Sequence, residues 1–310
     1  THEAGWRAMA AADTRRDQVV VDRLDDGVCR IAFTQTVGAT QSVLNVASGV
    51  FSPLVAPLAL SCNGFLPRPG DAYDELDVSL GVGLEFTPLF AAYDQALRLE
   101  RAACRGARGR PVRWEVYGWS RGAYFATLFS LLWAWQDAHG CGTPGDVYQA
   151  TTFGAPRFLG RASVDAALAA PSTARVHVTR YFHDEEFNLY DSGDYRHLAH
   201  RHVLIDPQGH WRVLNSTDCD DPVGTYLDGA LIALYVLRAS TVVRHVAPHV
   251  TYGRLWRDVC DGESVEDASC AEFAAPDRLG YPQFKLAFEA GLLASTAYTP
   301  HAPRYRAQRV

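Results

Sequence analysis

Residues 112–181 constrain the fold of this chain more than any other segment. Val112-Arg113-Trp114-Glu115-Val116-Tyr117 is rich in β-branched and aromatic residues and reads as a strand. Gly118-Trp119-Ser120-Arg121-Gly122 interrupts it, and residues 123–138 follow as a helix, apolar nearly all round and therefore buried. A second strand is expected over residues 147–153, a helix over 162–170 and a third strand over 175–181. Strand, helix, strand, helix, strand is the order of a parallel sheet covered on both faces, so the expected fold class is α/β.

Around this centre the signals are weaker. Val19-Val20-Val21 and residues 29–34 read as two strands joined by a turn at Asp25-Asp26-Gly27. Residues 88–107 carry Leu89, Ala92, Leu97, Leu99 and Ala102 on one helical face against Arg98, Glu100 and Arg101. The arginine and glycine run 105–111 ends that helix as a solvated cap rather than a binding patch. A hairpin is expected from residues 202–205 and 211–214, turning at Asp206-Pro207-Gln208-Gly209. Helical stretches follow at 226–243 and 284–293. Residues 37–73 are rich in Gly, Ser and Pro yet apolar over 50–60, which predicts either a buried irregular connection or a functional loop. With no repeat, low-complexity tract or long linker, the 310 residues are expected to form a single domain, 1–310. Its core spans about 15–256, with a C-terminal extension over about 257–310.

Composition excludes several function classes. Lys+Arg 29 against Asp+Glu 35 leaves a net charge of −6, the wrong sign for a protein that grips a phosphate backbone, so no nucleic-acid partner is expected. No run reaches the roughly 18–20 apolar residues a membrane span needs: 50–60 is broken by Pro53 and Pro57, and 225–237 is too short. The seven cysteines contain no C-x-x-C pair, which argues against a zinc knuckle or thioredoxin-like site. With the sequon Asn215-Ser216-Thr217 they point to disulfides and a secreted or lumenal location; the alternative is scattered buried thiols. No charged-then-apolar leader follows Thr1, and that is no argument for the cytoplasm.

The chemistry centres on Gly118-Trp119-Ser120-Arg121-Gly122, a G-x-S-x-G pattern set between an expected strand and an expected helix. A serine there stands on a tight, strained turn, and flanking glycines let strand and helix approach. Serine needs a base, and the base an orienting acid, in the chain order Ser, acid, His. Asp184 lies just past the third strand, and His249 follows the long helix, with His245 as second candidate. His183 is the acid's neighbour rather than its partner. His197, His200 and His202 crowd one segment, but no carboxylate or cysteine is spaced with them as a ligand set, so no metal site is expected.

Several blocks in order resemble the fungal-type, class 3 lipase family of α/β-hydrolases. Ile31-Ala32-Phe33-Thr34-Gln35-Thr36 resembles its apolar strand ending in F-R-G-T/S, and Gly81-Val82-Gly83-Leu84-Glu85-Phe86 its V-H-x-G-F segment. Residues 116–123 resemble the nucleophile block G-H-S-L-G-G. Thr151-Thr152-Phe153-Gly154-Ala155-Pro156-Arg157 resembles T-F-G-x-P-R, residues 184–189 the acid block N-D-x-V-P-x-L, and Tyr195-Arg196-His197 the Y-x-H block. His249-Val250-Thr251-Tyr252 resembles the terminal H-x-x-Y. The departures are Trp119 for His, Arg121 for Leu, Ala123 for Gly, Thr34-Gln35 for Arg-Gly and Glu185-Glu186 for two apolar residues.

The resemblance implies an α/β-hydrolase fold, a mostly parallel central sheet with helices on both faces. It implies a serine lipase or carboxylesterase acting on lipid or other acyl esters, with no cofactor. Ser120 would be the nucleophile, Asp184 the acid and His249 the base. The backbone N–H groups of Thr36 and Arg121 would form the oxyanion hole. The apolar residues 50–60 would serve as lid and acyl-binding surface. Phospholipase A1, a short-chain or aryl esterase, or a catalytically silent hydrolase fold used for binding are the alternatives.

Overall fold

The structure, a computed structural model, describes residues 7–10, 18–23, 27–33, 54–105, 111–183, 195–205 and 211–215. Thr36, Asp184, His245, His249, the expected helices 226–243 and 284–293 and the first half of the 50–60 run lie outside the described residues.

The main sheet has eight strands. In spatial order they are β1 (Arg7–Ala10), β2 (Gln18–Arg23), β3 (Val28–Phe33), β6 (Arg113–Trp119), β7 (Val147–Phe153), β9 (Val176–His183), β11 (Arg201–Ile205) and β12 (Trp211–Asn215). From β3 to β11 every neighbour is parallel; β1, β2 and β12 close the sheet antiparallel. This is the mostly parallel α/β sheet expected. The β2–β3 pair and the β11–β12 hairpin form where the sequence placed them. The sheet starts earlier than residue 15, however, because Arg7–Ala10 pairs with β2.

A second, four-stranded antiparallel sheet runs β10 (Tyr195–Arg196), β8 (Leu159–Gly160), β5 (Tyr73–Ser79), β4 (Val55–Ser61). Residues 55–60 are therefore no irregular connection, and a mobile lid is not what they form: β4 pairs with β5 along its whole length and buries Leu58 and Leu60. Pro57 is tolerated because β4 is an edge strand, where a missing N–H leaves no ladder bond unmade. β5 carries no strand signal in its composition, because its Asp and Glu residues have poor β propensity, but Leu76 and Val78 alternate into the core.

Three helices are described: α1 (Leu80–Arg105), α2 (Arg121–Ala138) and α3 (Arg161–Ala169). α1 begins eight residues before the expected 88, with the Ser79 hydroxyl accepting the Val82 N–H at 3.4 Å and Val82 buried. α2 is buried from Arg121 to Asp137 and is the central helix of the molecule. It packs on the face of the main sheet that carries Phe33, Trp114 and Tyr148: Phe33 stacks on Phe125 and Phe129, and Trp133 meets Trp114 and Tyr148. Alternation sends Ala32, Trp119, Phe153 and Tyr181 to the opposite face, and these are buried too. Both faces of the sheet are thus out of water where the strands end.

The opposite, N-terminal end of the strands is braced. Asp146 is buried and accepts the Val112 N–H at 3.0 Å, the Trp114 indole N–H at 2.8 Å and the Arg105 guanidinium at 2.5 Å. Asp137, near the end of α2, accepts from Arg101 and from the Tyr148 hydroxyl, each at 2.7 Å. Disulfides Cys29–Cys104 and Cys62–Cys141 tie β3 to α1 and the end of β4 to the chain just past α2.

Candidate active site

The site is built where β6 stops and α2 starts. β6 does not end at Tyr117, as its composition suggested, but runs through Gly118 and Trp119. Ser120 then makes the whole turn by itself, with φ 50° and ψ −116°. Among the described residues it alone combines a side chain with positive φ. Such a conformation costs about 1–3 kcal/mol and persists only where the surroundings over-determine it.

The surroundings do so in three ways. The Ser120 N–H donates to the Phe153 carbonyl at 2.8 Å, and the Ser120 carbonyl accepts the Ala123 N–H at 2.9 Å. Helix and strand press together so closely that a Cβ at Gly118 would lie 2.1 Å from the Gly122 carbonyl oxygen and 2.7 Å from the Ala123 Cα. Below the turn, Trp119 stacks on Phe153 with centroids 5.4 Å apart, and Phe153 on Tyr181 at 5.1 Å. Each such pair contributes about 0.5–1.5 kcal/mol beyond its burial.

Ser120 is half-buried at the head of α2, and its hydroxyl makes no capping bond to that helix. The start of a helix directs its first N–H groups and the positive end of its dipole at this turn, with Arg121 as the first helical residue. The Arg121 side chain is buried, with its guanidinium 4.9 Å over the Phe125 ring. A hydroxyl on a strained turn at the head of a helix is an arrangement that can present a nucleophile beside donors for developing negative charge.

Of the five residues expected from sequence, Ser120 and Arg121 are adjacent at this turn, whereas Thr36, Asp184 and His249 lie outside the described residues. The described chain approaches two of these positions. β3 ends at Phe33, three residues before Thr36, and β9 ends at His183, one before Asp184. In the sheet β3 lies on one side of β6, and β9 two places away on the other.

The Thr151-to-Arg157 block leaves β7 beside Ser120. Gly154 turns at φ 55° and its N–H donates to the Tyr181 carbonyl at 3.1 Å. Farther along the same chain, Phe158 accepts the Ser79 N–H at 2.9 Å, and the Tyr195 hydroxyl donates to the Leu54 carbonyl at 2.9 Å, bonds that tie the strands of the small sheet to one another.

His197 is held beside Arg157, Arg180 and His202, with the Pro156 carbonyl as a hydrogen-bond acceptor. Burial first, and then the two guanidiniums, depress its pKa well below 6.5. A metal cation is disfavoured between two guanidiniums. His200 is exposed on one side while its Nδ1, turned to the sheet, accepts the Val178 N–H at 3.1 Å; partial burial and then His177 lower its pKa.

Sequence reasoning missed the ring stack beneath the serine. Its one signal was that Trp119, Phe153 and Tyr181 each stand at or near a strand's end, and only the register aligns them.

No family model and no curated protein matches this sequence. Among solved structures the chain is similar to the triacylglyceride lipase of Rhizomucor miehei, at 14% identity and a TM-score of 0.47 over 72% of this chain and 77% of that one. It is similar to lipase II of Rhizopus niveus, at 16% identity and a TM-score of 0.46 over the same shares, 72% and 77%. It is also similar to a triacylglycerol lipase of Penicillium expansum, at 13% identity and a TM-score of 0.44 over 66% of this chain and 72% of that one.

Proposed function

We propose that this chain is a serine hydrolase of carboxylic esters, a lipase or carboxylesterase whose leading substrates are acyl esters of glycerolipids. One observation carries the reading: Ser120 at φ 50°, on a turn that Gly118 alone allows to form. A fold has no use for a strained serine at a helix head unless the hydroxyl is to be presented. The ordered blocks described from the sequence support the remaining assignments.

In this mechanism the Ser120 Oγ attacks the ester carbonyl while His249 takes its proton. Asp184 orients the imidazole and stabilises its charged form. The carbonyl oxygen gathers negative charge against the N–H groups of Thr36 and Arg121. His249 returns the proton to the departing alcohol, leaving an acyl-Ser120. Water, activated by the same histidine, releases the acid and restores the hydroxyl. Two disulfides accord with work in an oxidising, secreted or lumenal setting.

A fluorophosphonate probe tests the nucleophile: wild type is expected to be labelled and Ser120→Ala not at all. Against p-nitrophenyl esters, His249→Ala should lose about 10⁴-fold or more in kcat. Equal loss confined to His245→Ala would move the base. Raising the ester chain length across the micelle threshold separates the substrates: a rate jump at the interface marks a lipase, flat kinetics on short chains an esterase.

A further inference from the structure

We propose that the three-ring stack Trp119–Phe153–Tyr181 is a positioning device for the active site, with Phe153 as its keystone. The inference rests on Ser120 being the nucleophile. The three rings come from the ends of three adjacent parallel strands, in register, Trp119 opposite Phe153 and Phe153 opposite Tyr181. They lie nearly parallel, at 10° and 18°, and all three are buried.

The backbone repeats the same linkage one step higher. The Ser120 N–H is held by the Phe153 carbonyl, and the N–H of Gly154, the next residue, by the Tyr181 carbonyl. Ser120 and Gly154 are therefore two consecutive positive-φ turns, at 50° and 55°, each placed immediately after a stacked ring. Phe153 belongs to both links: its ring lies between the other two, and its carbonyl fixes the nucleophile's backbone. Tyr181 precedes the proposed acid by three residues. A shift of the Phe153 ring moves the strand ends carrying nucleophile and acid relative to each other, and reaction rate is sensitive to displacements of that kind. Trp119, where the resembling family has His, supplies the ring that closes the stack.

The test uses Phe153→Leu, Trp119→Leu and Trp119→Phe in the full chain. Each is assayed well below its own melting temperature, with Leu131→Ala on α2 as a core truncation away from the stack. Phe153→Leu and Trp119→Leu are expected to slow fluorophosphonate labelling and kcat on a soluble ester at least tenfold, with KM within about twofold. Trp119→Phe keeps a ring and should restore most of the rate. Leu131→Ala should lose stability but keep its labelling rate.

If wild type itself is not labelled, the nucleophile reading fails, and this inference with it. If wild type is labelled and the folded Leu variants match its rate, only the inference falls. A loss equal in Leu131→Ala, or unrescued by Trp119→Phe, overturns it as well. Should Phe153→Leu not fold, the Trp119 pair decides by the same readings.

Discussion

The two ends of the parallel strands are built on opposite principles. At the N-terminal end, groups are tied down: two disulfides, a buried aspartate with three donors and a second aspartate held by Arg101 and Tyr148. At the C-terminal end the backbone is bent into strain at Ser120, and cationic side chains crowd around His197. One end adds stability and the other uses some of it to hold a geometry that a relaxed chain avoids. The separation means that changes at the braced end should alter stability while leaving chemistry intact, whereas changes that disturb the strained turn should alter chemistry as well as stability.

The sharpest way to break this comparison is to remove a bridge. Cys62 and Cys141 close a loop of 79 residues, and constraining the unfolded chain over that length is worth roughly 4 kcal/mol. Cys62→Ser with Cys141→Ser should lower the free energy of unfolding in urea by about that amount. The kcat of the folded fraction should stay within twofold of wild type. A tenfold fall in kcat at unchanged secondary structure would show that the two ends are coupled.

The converse change is Gly118→Ala. One methyl would meet the Gly122 carbonyl oxygen at 2.1 Å, and the obstruction is backbone, unable to swing aside. Overpacking of this kind costs about 3 kcal/mol, somewhat less than the bridge. Activity should nevertheless fall at least a hundredfold, because relief of the contact opens the serine turn. A stable, fully active Gly118→Ala protein would contradict the strained-turn account. Melting curves beside ester hydrolysis rates measure both quantities.

Much of the strained end was legible in the sequence, and little of the braced end was. Composition located β6, β7, β9 and α2, because each is a core element whose apolar residues report burial directly. Gly118 and Gly122 around Ser120 announced the turn, and at Gly118 a Cβ would run into the backbone of the helix. By contrast, the pairing of the cysteines depends on contacts 75 and 79 residues apart, which spacing does not encode. β5 was hidden by its charges, since Asp74 serves as acceptor for the Trp135 indole rather than as a loop residue. The lid reading of the apolar run 50–60 came from the family resemblance, whereas hydrophobic residues without period fit a buried strand equally well. Only the pairing with β5 distinguishes the two.

The smallest expected effect concerns acid, and it should fall on the strained end. His197 faces Arg180 from β9, Arg157 from the chain after β7 and His202 from β11, with the Pro156 carbonyl as its polar contact. Burial disfavours the charged imidazole, and protonation would add a third positive charge beside two guanidiniums, so the folded pKa lies well below the 6.5 of an exposed histidine. The unfolded chain takes up a proton near pH 6.5 and the native chain does not. Stability is therefore complete well above pH 6.5 and declines as pH falls through it towards the folded pKa, by at most about 1.4 kcal/mol per pH unit for this group. Urea unfolding at pH 7.5, 6.5 and 5.5 should show a drop of about 1 kcal/mol over the lower interval and about a third of that over the upper. His197→Gln keeps an N–H for the Pro156 carbonyl but has nothing to titrate, so it should remove that drop while leaving stability at pH 7.5 little changed. An undiminished decline in His197→Gln would place the acid sensitivity elsewhere, with His200 beside His177 the next group to replace.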